Sequence, residues 1–204
     1  MRGRFIVFEG IDGCGKGTQL KLAHSYIWDL SKYIDILTTR EPHRDFKEIR
    51  ERMAKGTDAK QDAEWYARAF VADRKNHIQK YIQPDLDKGI HVLSDRYKLS
   101  TLAYQHTQGM DLGYLIEMHR GLLVPDLTII FDCPADIAQQ RRRFEGRAVT
   151  DVFENSLEFQ EQLRQNYLKL PGILSGEKII VIDSTPEPNV ISEQVKTHLD
   201  ELLK

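Results

Sequence analysis

Phe5-Ile6-Val7-Phe8-Glu9-Gly10-Ile11-Asp12-Gly13-Cys14-Gly15-Lys16-Gly17-Thr18 holds three signals in succession. The apolar run Phe5 to Phe8 is closed by Glu9-Gly10, as expected of a strand covered on both faces. Gly10 to Lys16 fits G-x-x-x-x-G-K. From about Thr18 to Ser31 the chain reads as a helix. Strand, glycine-rich loop and helix together form the setting in which this motif binds phosphate. The glycines let backbone N–H groups turn inward, and the helix N-terminus adds positive potential. Gly10, Asp12, Gly13, Cys14, Gly15, Lys16, Gly17 and Thr18 are therefore the candidate set for nucleoside triphosphate. Lys16 is expected to reach the β- and γ-phosphates.

The same alternation continues along the chain. Ile34 to Leu37, Ile90 to Leu93, Leu127 to Phe131 and Ile179 to Ile182 read as further apolar strands. Helical stretches separate them, at about Ala63 to Asp87, Leu112 to Leu122 and Ser156 to Leu170, and a last helix runs from Val190 to Leu203. Five such strands predict an α/β fold: a five-stranded parallel sheet with helices on both faces, three αβα layers in all. No repeat or linker divides residues 1–204, so a single domain is expected. In sheets of this kind ligands sit beyond the carboxyl ends of the strands.

The chain has 204 residues, with 29 Lys plus Arg against 31 Asp plus Glu, a formal net charge of −2. That balance argues against a nucleic-acid partner, which calls for a basic excess. With no apolar run of about 18 residues, no membrane span is expected. Cys14 and Cys133, the two cysteines, make neither a disulfide framework nor a familiar metal spacing. The first residues read as a strand rather than a signal peptide, so a soluble, cytoplasmic protein is expected. Cys14 sits beside a helix N-terminus, where a thiolate is expected to be stabilised and open to oxidants or alkylating agents.

The other strand ends carry candidate chemistry. In Thr39-Arg40-Glu41-Pro42, Arg40 can fork onto a phosphate or pair with Glu41 on the surface. In Ser94-Asp95-Arg96-Tyr97, Asp95 can hold Mg²⁺ or orient a hydroxyl and Arg96 can clamp a second phosphate; alternatively the two form a buried ion pair. Thr18 is the neighbouring hydroxyl for the same Mg²⁺. Arg141-Arg142-Arg143 and Arg147 could close over a phosphoryl group in flight. Arg141 and Arg147 are the candidates there, with at least two arginines of the cluster expected on a solvated face. Phe70 and Arg74 share a helix face and could hold a base, although an aromatic at this spacing also suits a core.

Gly17-Thr18-Gln19 resembles the loop of adenylate kinases. The chain as a whole resembles the thymidylate kinase family from about Phe5 to Thr185. The resemblance rests on Phe5 to Thr18, Thr39 to Pro42, Phe70-Val71-Ala72-Asp73-Arg74, Asp95-Arg96-Tyr97-Lys98-Leu99-Ser100-Thr101-Leu102-Ala103-Tyr104-Gln105, Pro125 to Thr128, and the arginine-rich segment before Asp151-Val152-Phe153-Glu154. It implies ATP as donor, thymidine monophosphate (dTMP) as acceptor, Mg²⁺, and a homodimer. It places Asp12 near the acceptor sugar and metal, Arg40 and Arg96 on the monophosphate, and Asp95 at the transfer site. Phe70 stacks on thymine in this scheme, Arg74 bonds its carbonyl edge, and Ser100, Thr101 and Gln105 line base and sugar. Tyr104 crowds the 2′ position, and a lid lies at about residues 141–152.

Three positions depart from the family pattern. Gly17 stands for the usual Ser/Thr, His43-Arg44-Asp45 for Gly-Gly-Thr, and Val152 for Arg. Two other readings stand beside this one: a kinase for deoxyuridylate, UMP, CMP or AMP, and a non-catalytic nucleotide-binding regulator.

Overall fold

The computed structural model describes residues 2–54, 62–144 and 156–203. Five parallel strands form one sheet: β1 (Phe5–Glu9), β2 (Ile36–Arg40), β3 (His91–Asp95), β4 (Leu127–Asp132) and β5 (Ile179–Asp183). Their spatial order is β2-β3-β1-β4-β5, which puts β1 at the centre. Ile6 lies opposite Leu93 on one side and Leu127 on the other. The helices are α1 (Lys16–Leu30), α2 (Lys47–Ala54), α3 (Ala63–His77), α4 (Gln83–Asp87), α5 (Lys98–Thr107), α6 (Leu112–Met118), α7 (Ala135–Phe144), α8 (Leu157–Ile173) and α9 (Pro188–Leu203). Helix α1 packs on α9, and α5 on α3, α6 and α8.

Burial follows the period-2 geometry of a strand with helices on both sides. Phe5 and Val7 join a cluster with Ile82, Leu86, Val92 and Tyr97. Ile6 and Phe8 join the larger core, with Leu20 and Ile27 of α1, Leu102 of α5 and Leu163 of α8. The expectation of strands buried on both faces holds for β1 and for most of β3 and β4. It does not hold for β2 and β5, which are the edge strands and are only partly covered. Strand β2 also starts later than expected and runs through to Arg40, because Thr39 and Arg40 continue the ladder against Ser94 and Asp95.

The expected long helix from Ala63 to Asp87 is interrupted by one π-helical segment, Ile78–Ile82. Pro84 follows it after Gln83 and offers no N–H to the carbonyl four residues back, so the chain takes a wider turn there. Two helices come as additions to the sequence reading. Helix α2 is polar and buries Ile49. Helix α5 begins immediately after the β3 end and turns Leu99, Leu102 and Ala103 inward at helical spacing.

Candidate active site

The loop between β1 and α1 faces a cleft through Asp12, Gly13, Gly15 and Lys16. Gly15 is the α1 N-cap and has no side chain to cap with, and the first turn holds no acid. The N–H groups of Thr18 and Gln19 donate to the Gly15 carbonyl, and the positive end of the helix meets no side-chain cap or acid of its own. Gly13 has φ +91°, and a Cβ there would lie 2.2 Å from the Ala138 carbonyl oxygen, so the loop lies directly on α7. Lys16 is buried and folds back into the loop, donating to the Ile11 carbonyl (3.3 Å) and to Asp12 Oδ1 (3.1 Å).

Asp12 Oδ1 also accepts from Arg96 Nη2 at 2.6 Å. Burial pushes the Asp12 carboxyl up, but Arg96 and Lys16 outweigh it and hold the group well below the ordinary carboxylate range. Lys16, Asp12 and Arg96 therefore form a continuous charged chain from the β1 loop to the β3 end. Arg96 itself has φ +73°, the one described residue other than glycine in the left-handed region. A non-glycine side chain held there stores strain and is typical of functional sites. Its Nη1 donates to Ser100 Oγ (2.9 Å) and Tyr167 OH (3.2 Å), and its guanidinium lies over the Tyr104 ring, 5.4 Å from the centroid.

Neither bland pairing expected of the strand-end arginines occurs. Arg40 does not pair with Glu41; its Nη2 donates to Asp95 Oδ2 at 2.9 Å, and the side chain is exposed. Asp95 is paired with Arg40, and Arg96 with Asp12. Asp95 Oδ1 is buried and has no hydrogen-bond partner among the described residues. A cleft of about 1070 Å³ runs over these groups, lined by Gly13 and Gly15 to Thr18, by Arg40, Asp95 and Arg96, and by Arg141 with Pro186 to Pro188. A lone carboxylate oxygen and the Thr18 hydroxyl at a phosphate loop fit a hard cation that keeps most of its waters. Among the described residues no group of three or more His, Cys, Asp or Glu is placed to hold a metal ion, so an all-protein metal cage is not built here.

Arg74 is fully buried with four partners: Glu41 Oε2 (2.7 Å), His119 Nε2 (2.6 Å), the Tyr97 carbonyl (3.0 Å) and Thr101 Oγ1 (3.2 Å). Phe70 is half-buried and stacks on Tyr66 at 6.0 Å, in a small cluster with Ile49. Gln105 is buried, donates to Gln108 and leaves Oε1 without a partner among the described residues. The structure thus joins Ser100 and Tyr104 to Arg96, and Thr101 to Arg74. It brings Phe70 and Gln105 into neither group.

Arg141 donates to the carbonyls of Ser184 (2.8 Å) and Thr185 (3.0 Å), which ties α7 to the β5 end. Arg142 is buried and packs at Gly13, and Arg143 is exposed and bonded to Gln139. Only Arg143 of these three lies on the solvated face expected for at least two arginines of the cluster. Arg147, Val152 and most of the expected lid lie outside the described residues. The expectation for Cys14 is overturned: it is fully buried, and burial pushes its thiol up rather than down.

Several groups at the site were not singled out from sequence. Glu9 ends β1 and sits buried against Tyr97, Ser100 and Tyr167. His77 bridges Thr39 Oγ1 (2.8 Å) and Glu41 Oε1 (3.3 Å) and stacks on His43 with centroids 4.5 Å apart. An acid closing an apolar strand was a usable signal for Glu9. Tyr167 and His77 reach the site only through the tertiary fold, so local sequence carried no sign of them.

A glycine loop at the carboxyl end of the central parallel strand, with cations converging on one cleft, defines a P-loop phosphotransferase. A family model described as thymidylate kinase matches residues 8–195. The chain is 38% identical over 188 residues to a probable thymidylate kinase of Thermococcus gammatolerans, covering 87% of this chain and 88% of that one. It is 36% identical over 210 residues to a thymidylate kinase of Carboxydothermus hydrogenoformans, covering 99% of each. A probable thymidylate kinase of Methanococcus maripaludis is 36% identical over 208 residues, 98% of this chain and 96% of the other. The chain belongs to the thymidylate kinase family.

Proposed function

We propose that the protein transfers the γ-phosphoryl group of ATP to the 5′-phosphate of thymidine monophosphate, giving the diphosphate and ADP on the route to dTTP. The observation that carries this reading is the Lys16–Asp12–Arg96 chain, which couples the triphosphate loop to the arginine at the β3 end. The loop N–H groups and Lys16 hold the donor, and Arg40 and Arg96 hold the acceptor phosphate in line with it. Phosphoryl transfer asks the protein mainly for this positioning and for charge neutralisation. Asp95, through its unpaired Oδ1, and Thr18 are the residues that would hold Mg²⁺, which would supply neutralisation of the phosphate charge. Arg141 and Arg147 are assigned to charge in flight. Phe70, Arg74, Ser100, Thr101, Tyr104 and Gln105 are assigned to base and sugar. The reading includes one kinase domain over residues 1–204, a homodimer and a cytoplasmic location.

The test is a panel in which ATP is offered with each monophosphate, ribo- and deoxy-, and ADP release is followed. Preference for dTMP is expected, and preference for a ribonucleotide overturns the assignment. Lys16→Ala and Arg96→Ala are each expected to slow turnover by about 10²-fold or more, through lost charge stabilisation.

A further inference from the structure

Glu9 is a fully buried acid in a position no part of the proposed transfer uses. Its four contacts divide evenly between its two oxygens. Oε1 accepts from the backbone N–H groups of Tyr97 (2.8 Å) and Ser100 (3.1 Å), and so caps α5 from another strand. Oε2 accepts from Ser100 Oγ (2.6 Å) and Tyr167 OH (3.3 Å). Those two hydroxyls are the ones that Arg96 Nη1 reaches, at 2.9 and 3.2 Å. The hydroxyls therefore stand between carboxylate and guanidinium, each able to donate to one and accept from the other. The Arg96 backbone is held by the same strand end. Its N–H donates to the Phe8 carbonyl (2.9 Å), its own carbonyl accepts from Ser94 Oγ (2.8 Å), and the next N–H goes to Glu9.

We infer that Glu9 is a positioning residue for the acceptor phosphate: it holds Arg96 in its strained left-handed conformation and aims the guanidinium through Ser100 and Tyr167. A strained φ persists only where its surroundings over-determine it, and Glu9 supplies the contact on the C-terminal side. An amide at this position cannot serve all four donors. With its oxygen turned to the two N–H groups, its NH₂ faces both hydroxyls. Ser100 Oγ and Tyr167 OH would then lose the charged oxygen that accepts their protons, and with it the charge-assisted link from Glu9 to Arg96.

This inference rests on the assignment of Arg96 to the monophosphate, and the test separates the two. Wild type, Glu9→Gln, Arg96→Ala and the double variant are compared with dTMP varied at saturating ATP, and with ATP varied at saturating dTMP. Glu9→Gln is expected to lower kcat/KM for dTMP by about 10-fold, as for loss of one buried charge-assisted hydrogen-bond link, with the KM for ATP within twofold of wild type. In the Arg96→Ala background the same change should cost less than twofold, because its target is gone. An equal loss in both backgrounds, or no loss in either, overturns the inference and leaves Arg96 in place. An Arg96→Ala enzyme with wild-type kinetics overturns the acceptor assignment, and this inference with it. If Glu9→Gln fails to fold, Tyr167→Phe removes one linking hydroxyl and keeps the ring in the core. It too should raise the KM for dTMP selectively, and an unchanged KM counts against the inference.

Discussion

His119 lies between two partners that fix its tautomer. Arg74 can only donate and the Leu115 carbonyl can only accept, so Nε2 carries the lone pair at 2.6 Å and Nδ1 carries the proton at 2.7 Å. Burial first, and then the Arg74 charge, push its pKa down from 6.5 to about 3. A depressed folded pKa means that the unfolded chain binds the proton more readily. The contribution of His119 to stability is therefore present above about pH 6.5 and is lost as pH falls toward 3. In that window the slope is up to about 1.4 kcal/mol per pH unit. Urea unfolding at pH 7.5 and 5.5 should show a loss in wild type that is reduced in His119→Gln; identical losses would exclude this origin. The residues at this scale that sequence revealed were those carrying a local motif: Lys16, Asp12, Arg40 and Arg96. Tyr167, which Arg96 reaches, and His77, which bonds Thr39 and Glu41 beside Arg40, come from distant helices. Burial and hydrogen-bond complementarity bring them in, and neither is written in a short stretch of residues.

At the scale of elements, the β1 loop and α7 form one tightly fitted unit. A Cβ at Gly13 meets the Ala138 carbonyl at 2.2 Å, with φ at +91°, whereas a Cβ at Gly17 meets nothing within 4 Å. Two substitutions of the same kind should therefore have opposite signs. Gly13→Ala should cost about 1–3 kcal/mol from backbone strain alone. Gly17→Ala, at an exposed position in α1, should gain about 0.5–1 kcal/mol from helix propensity. Chemical denaturation of the two variants checks the pair, and a stable Gly13→Ala protein would contradict the fit of loop to helix. The central strands were legible because their apolar runs are continuous. Strand β2 was misplaced because, at the edge, polar Thr38 to Arg40 complete its ladder. Helix α5 was hidden because only Arg96 and Tyr97 separate it from the β3 end, so no Gly, Pro or polar turn marks its start.

For the whole molecule, the net charge of −2 averages over unlike regions. Lys16, Arg40, Arg96 and Arg141 all line one cleft, and of the acids among them Asp12 and Asp95 are tied to Arg96 and Arg40. Anionic nucleotides should therefore stabilise the fold by mass action, by about 2.7 kcal/mol at a hundredfold excess over Kd. A scan of Tm against ATP concentration should rise accordingly, and Lys16→Ala should flatten it. None of the described helices is long and apolar enough to cross a membrane.

The central place of β1 also governs how the chain is made. Ile6 is synthesised well before its partner Leu127, which follows about 120 residues later in the chain. Until then this fully buried strand has an open edge, the kind of surface that recruits stray strands. Nascent chains stalled before β4 are thus the species most in need of a chaperone. The phosphate loop, made well before α7, can take its working shape only after α7 has emerged to support it.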